Sequence, residues 1–259
     1  MRAPRPEPCC PSPLLPSLRL WPSLAFGRRS AACLRNRTAR SIVRGCSCRS
    51  DRSGVFVIDI AAEFGGIDIY LFDQLQRGRI RPGHRIFDAG CGGGRNLVHL
   101  LRRGYDLSGV DTSAEAIAAV RTLAAQVAPD LPPERFRAEL IEENSFPDAW
   151  ADVVIANAVL HFARDDAHFR AMLEGAWRLL RPGGIFFARL ASRSGIESEV
   201  RPLGQGRYLL PDGSERFLVD EPMLASLAAA HGGVLADPLK TTLVHGARSM
   251  TTWVLRRAT

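Results

Sequence analysis

An α/β fold, with helices on both faces of a mostly parallel sheet in a three-layer sandwich, is what this sequence of 259 residues predicts. Three observations point there. The apolar run from Arg85 ends in Asp88 and breaks at once into Gly90-Cys91-Gly92-Gly93-Gly94, which reads as a strand, a tight loop and the start of a helix. Asp106 to Asp111 repeats the pattern of a short strand ending in an acid, 23 residues after Asp88. Two further apolar stretches, Asp152 to Phe162 and Ile185 to Leu190, flank an amphipathic helical pattern, as expected of parallel strands buried on both faces.

In chain order, Ile67, Tyr70, Leu71 and Leu75 fall at i, i+3, i+4 and i+8, one face of a helix that ends at Arg77-Gly78. At Gly90, Gly92 and Gly94 the backbone must turn sharply and approach a ligand closely, which a Cβ would obstruct. The helix entered at Arg95 would point its first N–H groups at that ligand. Asp-x-Gly-x-Gly-x-Gly departs from the dinucleotide fingerprint, because Arg95 stands where the third glycine is required, and Asp88 favours a ligand carrying an amine. In βαβ nucleotide-binding units an acid placed like Asp111 accepts hydrogen bonds from ribose hydroxyls. The competing reading is a helix N-cap for Ala114 to Ala125, which Thr112 or Ser113 can fill instead.

Phe136 to Ile141 reads as the third strand and Asp152 to Phe162 as the fourth, followed by a helix over Asp165 to Leu180. Arg181-Pro182-Gly183-Gly184 ends that helix before the strand Ile185 to Leu190. Arg207 to Leu210 and Glu215 to Val219 read as a hairpin around Pro211-Asp212-Gly213-Ser214, inside a segment, 193–219, expected to make a lid or substrate wall. A helix over Glu221 to Ala230 and two strands, Val234 to Val244 and Met250 to Arg256, complete the chain.

Composition narrows the function. No apolar run approaches the ~18 residues of a membrane span. Residues 1–52 hold eleven arginines against Glu7 and Asp51, so the formal +7 of the chain becomes −2 for residues 53–259. A domain of that charge lacks the footprint of a nucleic-acid binder. Residues 1–52 also carry five of the six cysteines and many prolines, without helical or strand periodicity, and read as a disordered leader. Cys46-Ser47-Cys48 lacks zinc-knuckle spacing, so no metal is expected. The leader reads first as an upstream extension that the working protein lacks and second as an organelle transit peptide; the first reading leaves a cytoplasmic domain over 53–259. Lys240 is the only lysine, so arginine richness is a trait of the whole chain.

Asp88 to Gly94 resembles motif I of the class I S-adenosylmethionine (SAM)-dependent methyltransferases, and Leu180-Arg181-Pro182-Gly183-Gly184 before an apolar strand resembles another of their hallmarks. The resemblance covers about residues 55–259. It implies a Rossmann-like sandwich with a seven-stranded sheet and an antiparallel C-terminal edge, SAM as cofactor, and in-line methyl transfer that leaves S-adenosylhomocysteine. It implies cofactor contacts from Asp88, Gly90, Cys91, Gly92, Asp111, Thr112 and Asn157, the last through its backbone toward the methionine part. Glu142 and Glu143, with Glu139 in competition, stand where the adenine is touched, and the helix at Ile67 lies over the cofactor or covers the sheet. His161 is the candidate for accepting a proton from substrate, although methyl transfer needs positioning more than acid–base chemistry.

Asn-Pro-Pro-Tyr, the mark of amide and adenine nitrogen methylation, is replaced by Asn157-Ala158-Val159-Leu160, and Cys91 lies inside the cofactor loop, away from a nucleophile's place. A small-molecule acceptor is expected. Cys91 to Asn96 further resembles methyltransferases of the tellurite-resistance type. Three alternatives remain: a nicotinamide-dependent oxidoreductase on the same fold, a SAM-binding protein without turnover, and an RNA methyltransferase using residues 1–52 as a basic arm. Oligomeric state is not legible.

Overall fold

The strand Arg85–Ala89 runs through the middle of the sheet, because every residue from Ile86 to Ala89 is buried and a strand flanked on both edges and both faces is where such a run is stable. The computed structural model describes residues 48–50 and 56–259, all within the compact unit Val43–Thr259. In chain order the elements are β1 (Cys48–Ser50), β2 (Phe56–Ile58), α1 (Ile60–Phe64), α2 (Ile69–Gln76), β3 (Arg85–Ala89), α3 (Val98–Arg102) and β4 (Asp106–Asp111). These are followed by α4 (Ala114–Val127), β5 (Phe136–Ala138), β6 (Ala151–Asn157), α5 (Asp166–Trp177) and β7 (Leu180–Ala191). The chain closes with β8 (Arg201–Gly204), β9 (Arg207–Leu209), β10 (Glu215–Phe217), α6 (Glu221–Ala230), β11 (Gly233–Leu235), β12 (Lys240–Val244) and β13 (Arg248–Arg257).

The main sheet has the order β11-β13-β7-β6-β3-β4-β5, with β12 also paired to β13. Its pairs from β5 to β7 are parallel, and β13 runs antiparallel to β7, β11 and β12. The expected sheet is therefore present with one difference: seven positions are filled by eight strands, because the edge strand expected over Val234 to Val244 is two pieces. Pro238 has no N–H to donate, and Asp237 turns inward to bond Gln74 Nε2 (3.0 Å) and Arg79 (2.8 Å), which pulls the chain out of the ladder between them.

The two faces follow from strand alternation. Phe87, Val154, Phe186 and Leu255 meet Phe169, Leu173 and Trp177 of α5 and Leu224 and Leu227 of α6 on one face. Ile86, Val153, Ile155, Phe187 and Val254 meet Leu71, Leu100, Ile117 and Val120 of α2, α3 and α4 on the other. Each such side chain contributes about 1.5–3 kcal/mol when fully buried, so a one-residue slip of any central strand would invert two cores at once.

Several boundaries differ from the periodicity. The helix expected from Arg95 starts at Val98, because residues 94–97 form a turn closed by Gly94 N–H to Cys91 O (3.0 Å) and Leu97 N–H to Gly94 O (2.8 Å). The third strand ends at Ala138, not Ile141, where the Glu139 amide turns back to Arg137 O. The helix from Asp165, which caps His168 N–H, stops at Trp177, and Arg181 to Gly184 belong to β7, accommodated by a register shift between Ala151 and Val153. The expected hairpin, β9 with β10, gains a third strand, β8. Phe217 stacks on Phe169 at 4.5 Å, so this small sheet is anchored in the core on the α5 face. The last residues of the expected leader, Cys48–Ser50, pair with β2; the rest of that segment lies outside the described residues.

Candidate active site

The turn after β3 is held to β4 by backbone. Gly90 and Cys91 N–H groups both donate to Val110 O at 2.9 Å, and Asp111 then accepts from Gly92 N–H (2.9 Å) through Oδ2 and from Ser113 N–H (3.0 Å) through Oδ1. One carboxylate thus fixes two loops at the C-terminal end of the sheet, while Ser113, accepting from Ala116 N–H, is the cap of α4. Gly90 has φ +77°, and a Cβ there would lie 2.4 Å from Val159 Cγ2, so only glycine brings the loop this close to the segment after β6.

Beside this turn is a cavity of about 380 Å³. Gly90, Asp111, Thr112 and Glu142 supply its polar wall, and Leu140, Ile141, Phe162 and Met172 its apolar wall. Both Asp111 oxygens are engaged on one side and retain lone pairs for a diol. Glu142 meets His168 Nε2 at 2.9 Å; since His168 Nδ1 accepts from Arg164 N–H (3.1 Å), Nε2 carries the proton. Of the three competing glutamates, Glu142 alone lines the cavity. Glu143 is exposed away from it, and Glu139 is consumed by Ser145 N–H and Oγ (2.9 and 2.7 Å).

Asp88, Cys91, Gly92 and Asn157 sit behind or beside the cavity and are not in its wall. Asp88 is buried with no hydrogen-bond partner for Oδ1 among the described residues. Burial, and then the neighbouring Asp111, push its carboxyl up to about 7, against a smaller pull from Arg95. Burial likewise raises the Cys91 thiol, which excludes a thiolate nucleophile. Asn157 is buried with neither amide atom paired among the described residues, an unmet demand of about 1–3 kcal/mol per group and a reason to expect a ligand there. Gly92 (φ +51°) faces open space.

A second cavity, of about 310 Å³, adjoins the first, and Ala158 lines both. Ala158 holds φ +59°, a conformation that costs a non-glycine residue about 1–2 kcal/mol, while its N–H donates to Arg189 O at 2.7 Å. The other walls come from far apart: Arg95, His161, Arg189 and Ala191, the hairpin residues Leu210, Asp212, Ser214 and Arg216, and the stretch from Val244 to Met250. The segment 193–219 therefore walls the second cavity and not the first. The helix α2 does not line either cavity; Leu71 packs on the sheet, and Asp68, its N-cap, pairs with Arg189 (2.9 Å).

His161 lines the second cavity, but its Nδ1 accepts from Ala191 N–H (3.2 Å), which leaves the proton on Nε2. Burial, helped by Arg216, holds the imidazole down to about 4. With one lone pair used and the other nitrogen protonated, it is a donor and has no free site for a substrate proton, contrary to the role the sequence suggested. The sequence also missed Ala158 and the arginine lining. Periodicity marks neither, because both depend on which chain segments meet.

A family model described as a methyltransferase domain matches residues 87–188. An uncharacterized methyltransferase of Synechocystis sp. is 30% identical over 122 residues, which are 47% of this chain and 54% of that protein. A ubiquinone biosynthesis O-methyltransferase of Methylocella silvestris is 31% identical over 184 residues, 65% of this chain and 69% of the relative. The chain thus spans from about half to about two thirds of these curated relatives. Among solved structures, a SAM-dependent methyltransferase of Methanosarcina mazei superposes with a TM-score of 0.58 at 19% identity over 71% of this chain and 97% of its own. The 1,6-didemethyltoxoflavin-N1-methyltransferase of Burkholderia thailandensis, solved with 1,6-didemethyltoxoflavin and S-adenosylhomocysteine, gives 0.58 at 22% identity over 78% and 82%. These two share the fold, and with the sequence relatives they lead to one conclusion: the chain belongs to the class I SAM-dependent methyltransferases.

Proposed function

We propose that this protein transfers the methyl group of SAM to a small-molecule acceptor, with the cofactor's adenosine in the first cavity and the acceptor in the second. The observation that carries this reading is the meeting of the two cavities at Ala158 alone, which gives donor and acceptor one short line of approach. The residues fit the cofactor. Asp111 retains acceptor capacity for the ribose, the apolar wall suits a purine, and the unpaired amide of Asn157 and carboxyl of Asp88 suit the polar methionine end. Bound SAM supplies an already electrophilic methyl. The chain's part is to fix geometry and exclude water, and alignment of this kind is worth roughly 7–11 kcal/mol of barrier.

Similarity to a protein named for O-methylation in ubiquinone biosynthesis, and to a fold crystallised with 1,6-didemethyltoxoflavin, supports a small acceptor over a nucleic acid. The catalytic domain is read as lying within the compact unit Val43–Thr259 and as working in the cytoplasm. Among the described residues no helix is long and apolar enough to cross a membrane. Calorimetric titration of the full chain with SAM and with NAD, followed by detection of S-adenosylhomocysteine over a panel of hydroxylated and amine-bearing small molecules, tests the proposal. Binding of NAD in place of SAM, or SAM binding without turnover of any of the panel, would displace it.

A further inference from the structure

We infer that the acceptor bound in the second cavity carries an anionic group, a carboxylate or a phosphate, which guanidinium groups hold. The inference rests on the methyltransferase reading above and deepens it. Four arginines from four separate segments, Arg95, Arg189, Arg216 and Arg248, line this cavity, and among the described residues the only carboxylate in its wall is Asp212. The domain as a whole is not basic, since residues 53–259 sum to −2, so the convergence is local and not a sample of a uniformly positive surface. A cleft with walls of one sign focuses its field and concentrates the opposite charge.

The four heads are not equally engaged. Arg189 already pairs with Asp68 at 2.9 Å, although its Nε is buried without a partner among the described residues. Arg248 is only 3.8 Å from Asp212, a loose and half-exposed pair. Arg216 lies 4.8 Å over the Phe162 ring and donates to the Glu215 carbonyl, and neither it nor Arg95 has a carboxylate partner among the described residues. The Ser214 and Ser249 hydroxyls already donate to Asp212 Oδ1 (2.6 Å) and to the Ser194 carbonyl (2.8 Å), so the free donors beside the guanidinium groups reduce to His161, which keeps its proton on Nε2. A wall rich in fork-shaped donors and poor in acceptors matches a planar carboxylate or a phosphate, which guanidinium binds in pairs of charge-assisted hydrogen bonds. A volume of about 310 Å³ suits a small acceptor.

The cofactor's own carboxylate is the competing occupant, and the experiment is arranged around it. The full chain is titrated calorimetrically with S-adenosylhomocysteine, and the saturated complex is then titrated with benzoate, phenyl phosphate and, as the neutral control of similar shape, benzyl alcohol. Expected is binding of benzoate or phenyl phosphate at least tenfold tighter than that of benzyl alcohol, with the two anions telling carboxylate from phosphate. Arg216→Gln and Arg248→Gln, both at partly exposed positions, should each weaken the anion at least fivefold while leaving S-adenosylhomocysteine affinity within twofold and the melting temperature within error. Equal binding of the neutral probe, or anion affinity indifferent to both substitutions, overturns the inference. Anions that bind only in the absence of S-adenosylhomocysteine, with both variants weakening the cofactor, assign the arginines to the cofactor carboxylate and also overturn it. If S-adenosylhomocysteine itself does not bind, the methyltransferase reading fails and the acceptor assignment goes with it; an intact cofactor site without anion preference defeats this inference alone.

Discussion

The two cavities are built from different materials. The first is mainly a product of backbone: Gly90 and Cys91 tied to the Val110 carbonyl, Asp111 bridging two loops, and a glycine where a Cβ would strike Val159. The second is a product of side chains delivered by β7, the β8–β10 segment, the start of β13 and the turn after β3, with the heads of Arg95 and Arg248 exposed to solvent. A site fixed by ladder bonds and tight turns has few ways to change without losing the sheet. A site made of long side chains on an inserted segment is altered one residue at a time, which is the arrangement expected if one fold is to keep its cofactor and vary its acceptor.

Breaking the first site should cost most. Gly90→Ala places a methyl 2.4 Å from Val159 Cγ2 in a left-handed backbone, so SAM affinity should fall at least a hundredfold by calorimetry and the melting temperature should drop by several degrees. Unchanged affinity would show that the loop has room and that the cofactor lies elsewhere.

Replacing residues 201–214 with a short linker separates the two sites next. Phe217 and Val219 are buried in the core and are kept, so SAM affinity should stay within about threefold while formation of S-adenosylhomocysteine is lost. Loss of SAM binding in a folded variant would mean that the segment closes over the cofactor.

Asp111→Ala removes the carboxylate proposed to meet the ribose and frees the Gly92 and Ser113 amides, and an effect of roughly 1.5–3 kcal/mol, about ten- to a hundredfold in SAM affinity, is expected. Anion binding in the second cavity should not change, and a parallel loss there would unite the two sites.

Asp88 gives the first site a pH dependence. Its folded value of about 7 is above the ordinary 3.8, so the folded state holds the proton more tightly. That contribution to stability is complete below pH 4, declines as pH rises from 4 to 7, and is gone above 7. A cationic cofactor prefers the ionised carboxylate, so SAM affinity should rise with pH up to about 7, by at most tenfold per pH unit, and then level off. Asp88→Asn should flatten both profiles, and a wild-type affinity independent of pH between 5 and 8 would remove Asp88 from the cofactor's charge balance.

The smallest effect belongs to the junction. Ala158→Gly relieves a left-handed alanine at the cost of a more flexible unfolded chain, so stability measured by urea should shift by less than about 1 kcal/mol. Turnover is the sharper readout, because the substitution loosens the line between the cavities, and unchanged turnover would show that the strain has no part in alignment.

What the sequence determined by itself is whatever short-range chemistry dictates. The apolar run of β3, the glycines that only a tight turn needs, the acid 23 residues later and the strand–helix alternation together specify a parallel sheet with a cavity at its carboxyl edge, since each follows from local sterics or from burial on two faces. Asp111 and Gly90 were legible in that way. Tertiary structure decided the rest. Periodicity does not register that the third strand ends at Ala138, that Asp237 and Pro238 split the edge strand, or that Ala191 N–H occupies the His161 lone pair, because each depends on a partner far away in the chain. The same holds for the arginines. In a chain where arginine is common everywhere, positions 95, 189, 216 and 248 look alike in the sequence, and only the tertiary structure, with β13 beside β7, β10 against residues 160–162 and the turn after β3 alongside, brings them around one cavity.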